Sequence, residues 1–210
     1  MKLKRYVMSV ITMLLAITTV AHANTIFIGD SRTVGIYDAL HGTSTANKTN
    51  VNVTDPDGTT WSCKVGMGLK WMKETGAPQI EDKIHEDTDV IILMGVNDVA
   101  DTDTVIRYIA YLNEKSEEWT KRGADVYYVS IMPVKKDTKS VTNAGITIWN
   151  EAMKSNITNM SYIDMNESGI VYDFSDTYHF KSHTSHDIYK YLTTSLTDTH
   201  GQAPNTAVCN

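Results

Sequence analysis

The sequence predicts an α/β fold, a mostly parallel sheet of about five strands with helices on both faces. Three observations predict it. Continuous apolar runs recur along the chain, amphipathic patterns of helical period lie between them, and the two alternate from residue 25 to residue 196. Unbroken apolar runs suit strands buried on both faces. Strand followed by helix, repeated, suits parallel pairing through crossover helices.

The strand candidates come in order. Residues 25–29 hold Ile26, Phe27 and Ile28 in a row, and residues 90–94 are apolar without a break. Residues 126–131 are rich in β-branched side chains and tyrosine. Residues 162–165 and 62–65 carry weaker versions of the same signal. A helix is expected to begin at Ser31. Over 103–122, Val105, Ile109 and Leu112 share a face, with Glu117–Lys121 and Glu118–Arg122 as i,i+4 pairs outside. Over 143–159, Ile148 and Ala152 share a face, with Trp149 and Met153 beside it. Over 182–196, Ile188, Leu192 and Leu196 recur every four residues. Trp119 and Trp149 read as core. The exception is 40–60, rich in Thr, Asn and Asp, which reads as a long loop with one short strand at 51–53.

A chain of 210 residues, 41% of them hydrophobic, is long enough for one sizeable core and too short for two ordinary domains. Nineteen Lys and Arg against 25 Asp and Glu give a net charge of −6, with no basic run. That balance argues against nucleic acid as a partner. The N-terminus reads as a signal peptide over 1–23. Lys2, Lys4 and Arg5 are followed by an apolar stretch over 6–21 and by the small-x-small triplet Ala21-His22-Ala23. The competing reading, an uncleaved anchor, needs roughly 20 apolar residues, and this stretch is shorter. The expectation is one domain over 24–210, exported to the cell envelope or beyond, with no stable membrane insertion. Cys63 and Cys209 are the two cysteines, and a disulfide and two free thiols both remain open.

Four blocks carry candidate chemistry. Gly29-Asp30-Ser31 lies where the first strand ends and a helix begins. A serine there is a helix cap on the plain reading and a nucleophile on the functional one. Gly66 follows the second strand candidate, and Gly95-Val96-Asn97-Asp98 follows the third. With strands ordered 2-1-3-4-5, Ser31, Gly66 and Asn97 emerge beside one another at one end of the sheet. A hydroxyl, a backbone N–H and a side-chain amide would then converge, as acyl transfer requires. The plain alternative makes the glycines turn residues and Asn97 a cap. Finally, Asp176-Thr177-Tyr178-His179 puts a carboxylate three residues before an imidazole. Such a pair can orient a general base toward a serine.

Together the four blocks resemble the SGNH hydrolases, also called GDSL esterases and lipases, in order and approximate spacing over nearly all of 24–210. The resemblance implies a flavodoxin-like three-layer α/β/α sandwich and ester hydrolysis through an acyl-serine, without cofactor or metal. It implies Ser31 as nucleophile, His179 as base and Asp176 as its partner. The oxyanion hole would be the Ser31 and Gly66 N–H groups with the Asn97 side chain, Gly68 being the alternate glycine. Arg32 follows the serine and is expected to pair with a nearby aspartate or to hold a substrate carboxylate. The absence of G-x-S-x-G argues against an α/β-hydrolase. A rival metal reading of His179, His183, His186 and Asp187 lacks the H-E-x-x-H signature. The expected substrate is an ester with a small acyl group, acetyl above all, on carbohydrate or cell-wall glycan. An SGNH-fold binding protein and an acyltransferase are the alternatives.

Overall fold

A computed structural model describes residues 24–44 and 50–200, apart from the side chains of residue 102 and of 197–200. The expected signal peptide, Cys209 and part of the 40–60 segment lie outside the described residues. Strand β1 (Asn24–Gly29) leads into helix α1 (Ser31–His41). Strands β2 (Asn50–Thr54) and β3 (Thr60–Lys64) follow, then the short helix α2 (Leu69–Trp71), which runs on as a π-turn over Met72–Gly76. The chain continues through β4 (Thr88–Leu93), α3 (Thr102–Thr120), β5 (Asp125–Val129), α4 (Asn143–Asn156), β6 (Ser161–Ile163) and α5 (Ser182–His200).

The six strands lie in the order β2-β3-β1-β4-β5-β6. Every neighbouring pair is parallel except β2 with β3. Without β2, the order is the expected 2-1-3-4-5. Two corrections concern the 40–60 segment. The first helix extends into it as far as His41, and the strand is longer than 51–53, adding a sixth, antiparallel edge to the sheet. A tight turn joins β2 to β3, with the Asp55 N–H donating to Thr59 O at 2.8 Å. Asp55 Oδ2 also accepts from Trp61 Nε1 at 2.8 Å, tying the turn to the core.

Side chains alternate across the central strands, so each strand feeds two cores. Ile26, Ile28, Val90 and Ile92 face Tyr108, Leu112, Trp119, Trp149 and Met153, from α3 and α4. Phe27, Ile91, Leu93 and Trp61 face Val34, Ile188, Leu192 and Leu196, from α1 and α5. Phe27 and Trp61 stack with ring centroids 4.5 Å apart. The three-layer sandwich is thus as expected.

The buried face of α4 is not the one expected. Ile148 is 63% exposed, while Ile146, Trp149, Asn150 and Met153 are buried. Asn150 is tolerated there because it completes the backbone of Ile131, accepting from its N–H and donating to its carbonyl, each at 2.8 Å. On α3 the Glu117–Lys121 pair is present, but Arg122 turns from Glu118 to Glu81, with Nη1 at 2.9 Å from Oε2. The Ile84 carbonyl accepts from the same guanidinium, which favours the tertiary partner over the helical one.

Candidate active site

The site is built where β1 meets α1. Asp30 is the extended N-cap of α1, and its side chain accepts from Arg32 N at 3.0 Å. Ser31 is the first helical residue and is nearly buried. Its N–H is one of the helix-end donors with no partner inside the helix, at the positive end of the helix dipole. Gly29 permits this turn because there is no room for a side chain. An added Cβ would lie 2.6 Å from the Leu93 carbonyl and collide with Thr33. A Gly29→Ala variant is expected to lose about 3 kcal/mol of stability through overpacking. Urea unfolding checks this, and an unchanged midpoint would contradict it.

The second half of the site is a closed loop. The N–H groups of Tyr178 and His179 donate to Asp176 Oδ1 at 2.7 and 2.8 Å. Asp176 Oδ2 lies 2.7 Å from His179 Nδ1. Phe174 bridges Phe180, and Ser175 N donates to His179 O at 2.9 Å. His179 is thereby held with Nε2 at 2.8 Å from Ser31 Oγ. One tautomer satisfies both contacts, with Nδ1–H toward the carboxylate and Nε2 accepting from the serine hydroxyl. Burial raises the Asp176 pKa, but the His179 ring and the two N–H groups outweigh it and hold the carboxyl below its ordinary value.

The third element spans the loops after β3 and β4. Asn97 is exposed and donates from Nδ2 to Met67 O at 2.9 Å, and a primary amide carries a second N–H. Gly66 has φ +73°, with open space where a side chain would stand. Gly68 differs, because an added Cβ would strike the Asp98 carboxylate, which accepts from Leu69 N at 2.9 Å. Gly68 is therefore a packing glycine.

Beside Ser31 and His179 opens a cleft of about 450 Å³, bordered by Val34, Gly35, Phe180 and Ser185. That volume lies in the range of small-molecule sites. A cleft of about 390 Å³ beside α4, with Tyr162 and Asp164 on its wall, contains none of the residues expected from sequence.

One expectation needs correction. Among the described residues, Arg32 forms no ion pair with a carboxylate. Its guanidinium donates to the backbone carbonyls of Tyr178, Met132 and Pro133. Sequence offers no signal for such partners, since any residue supplies a carbonyl. Of the histidines in the rival metal reading, His179 has both ring nitrogens engaged, and His183 Nε2 lies 3.7 Å from Asp173 Oδ2. Among the described residues, no group of three or more His, Cys, Asp or Glu side chains is placed to hold a metal. Cys63 is sealed in the core, where burial pushes its thiol pKa far up.

No protein-family model matches the sequence, and no curated protein does. Solved structures match the fold. A Bacteroides fragilis protein described as an acylhydrolase matches with TM-score 0.60 and 15% identity, over 85% of this chain and 88% of its own. A GDSL-like lipase from Bacteroides thetaiotaomicron matches with TM-score 0.59 and 13% identity, over 85% and 89%. A lipase/acylhydrolase from Enterococcus faecalis matches with TM-score 0.53 and 17% identity, over 85% and 98%. The chain has the fold of the GDSL-like lipases and acylhydrolases, the SGNH group that its motifs resemble.

Proposed function

We propose that this chain is a serine esterase in which Ser31, His179 and Asp176 form the catalytic triad. The observation that carries the reading is the 2.8 Å contact between Ser31 Oγ and His179 Nε2 at the edge of an open cleft. Ser31 Oγ attacks the ester carbonyl while its proton passes to His179 Nε2, and the imidazolium that forms is stabilised by Asp176. The tetrahedral oxyanion takes hydrogen bonds from the N–H groups of Ser31 and Gly66 and from the Asn97 amide. Each such donor is worth about 3 kcal/mol of barrier. His179 then returns the proton to the departing alkoxide, leaving an acyl-serine. A water loses its proton to His179 as it attacks that acyl group, and His179 gives the proton to Ser31 Oγ as the acyl–oxygen bond breaks and the acid departs.

The open surroundings of Gly66 favour it over Gly68 as the donor. The short Ser31–His179 contact favours an esterase over a binding protein with an incomplete site. The natural substrate is a small acyl ester, acetyl above all, on carbohydrate or cell-wall glycan. The polar lining of the cleft, with Asp38, Thr43, Ser44 and Ser182 on its wall, supports a hydroxylated alcohol portion. Export through the 1–23 leader fits such a substrate, and none of the described helices is long and apolar enough to cross a membrane.

Hydrolysis of p-nitrophenyl acetate by residues 24–210, beside Ser31→Ala and a chelator control, tests the mechanism. Activity lost in the variant and untouched by chelator is expected. Equal rates in both proteins would refute it. Acetate release from acetylated xylan or peptidoglycan tests the substrate class, and a preference for long-chain esters would overturn that part.

A further inference from the structure

Arg32 has no role in the chemistry above, yet it is 4% exposed and immediately follows Ser31. Burial lowers its pKa to about 10, partly offset by the charges of Asp30, Tyr172 and Asp176, so the guanidinium stays positive at neutral pH. A buried charge is normally paired. Among the described residues, no ion pair holds it. Nε donates to Tyr178 O at 3.1 Å, Nη1 to Met132 O at 2.6 Å and Nη2 to Pro133 O at 2.9 Å. The Phe180 ring lies against it, with its centroid 5.0 Å from Cζ. Tyr178 and Phe180 are the two chain neighbours of His179. The guanidinium therefore grips the histidine loop on either side of the base.

Other contacts fix the same loop to the segment after β5. Lys135 N donates to Thr177 O at 3.0 Å, and the Tyr178 hydroxyl to Thr138 Oγ1 at 3.2 Å. That segment also contains Met132 and Pro133. Arg32 is thus the joint of three pieces, the nucleophile helix, the base loop and the segment after β5. A planar fork of fixed geometry can hold three diverging carbonyls, whereas a lysine ammonium offers donors from a single point.

We propose that Arg32 is a positioning residue, its guanidinium setting His179 Nε2 at reacting distance from Ser31 Oγ by gripping the loop at Tyr178 and Phe180. The inference rests on the esterase reading. Arg32 touches neither substrate nor reacting atoms, and acts through the placement of the base. A misplacement of about 1 Å in such a pair costs on the order of a hundredfold in rate.

The test compares the parent with Arg32→Lys and Ser31→Ala, each assayed well below its own melting temperature. With p-nitrophenyl acetate, Arg32→Lys is expected to lose about 10- to 100-fold in kcat. Its KM should stay within about threefold of the parent, because Arg32 itself does not line the cleft. The downfield proton signal of His179 Nδ1–H, bonded to Asp176, should be present in the parent and in Ser31→Ala and broadened in Arg32→Lys. A folded Arg32→Lys with parental kcat and an unchanged signal would overturn the proposal, as would a loss confined to KM. A parent no more active than Ser31→Ala defeats the esterase reading instead, and the His179 signal still decides the positioning. Should Arg32→Lys not fold, the parent decides it. The Arg32 Nε–H is expected to exchange slowly with solvent, and exchange as fast as in a free arginine would refute the grip.

Discussion

Replacing His179 by alanine is expected to lower kcat for p-nitrophenyl acetate by roughly 10⁴- to 10⁶-fold, the largest loss after that of Ser31 itself. A serine hydroxyl is a weak nucleophile at neutral pH, and no other base contacts Ser31 Oγ among the described residues. Asp176→Asn should cost less, roughly 10²- to 10⁴-fold. The asparagine turns the imidazole toward the wrong tautomer, but the Asp176 side chain is 55% exposed, so water replaces part of its effect. Because the Asp176 carboxyl is held below its ordinary value, it stays ionised throughout the neutral range. The acid limb of the rate profile should therefore not report on Asp176. Initial-rate kinetics on variants shown to be folded by circular dichroism check both losses. A loss below tenfold in Asp176→Asn would mean that the carboxylate does not orient the base.

Asp30→Asn is expected to gain stability over the parent as the pH rises. Burial pushes the Asp30 pKa from 3.8 up to about 6, against the opposing pull of the Arg32 N–H, the Arg32 charge and His179. The folded parent therefore binds this proton more tightly than the unfolded chain does. Its contribution to stability is fully present below the unfolded value and is lost as the pH rises through the folded one. A shift of roughly two units corresponds to about 3 kcal/mol. Asparagine keeps the helix cap and does not titrate. The difference between variant and parent should thus widen by up to about 3 kcal/mol between about pH 4 and pH 6, then level off. Urea unfolding of both proteins across that range measures it. A constant offset at every pH would show that Asp30 does not titrate with folding.

The parts of the fold legible in the sequence are those where a single physical demand acts. Ile26-Phe27-Ile28 and residues 90–93 sit in central strands covered on both sides, so burial alone dictates their composition. The edge strand β2 is covered on one side only, and three of its five residues are exposed, so only 51–53 reads as strand within a segment that otherwise reads as loop. The α4 face was misjudged because Asn150 is buried for its hydrogen bonds while Ile148 faces solvent. Local charge spacing also misled at Arg122, whose partner Glu81 lies 41 residues away. At the site, the contact of Ser31, His179 and Asp176 was legible because a serine at a strand-to-helix turn and a carboxylate three residues before an imidazole form a recognisable combination. Arg32 was not, because its partners are main-chain oxygens.

The pairing of α1 with α5 brings the first and last helices onto one side of the sheet, and Ser31 meets His179 across 148 positions of chain. Closing so long a segment adds little equilibrium cost, since loop entropy grows only logarithmically with length, but distant contacts form slowly. Ser31 and His179 therefore meet only once the 176–180 loop is seated against Arg32 and the segment after β5. While β1 to β6 are being laid down, Ser31 stands without its proposed base. The proposed activity thus belongs to the seating of that loop rather than to the sheet that carries the serine.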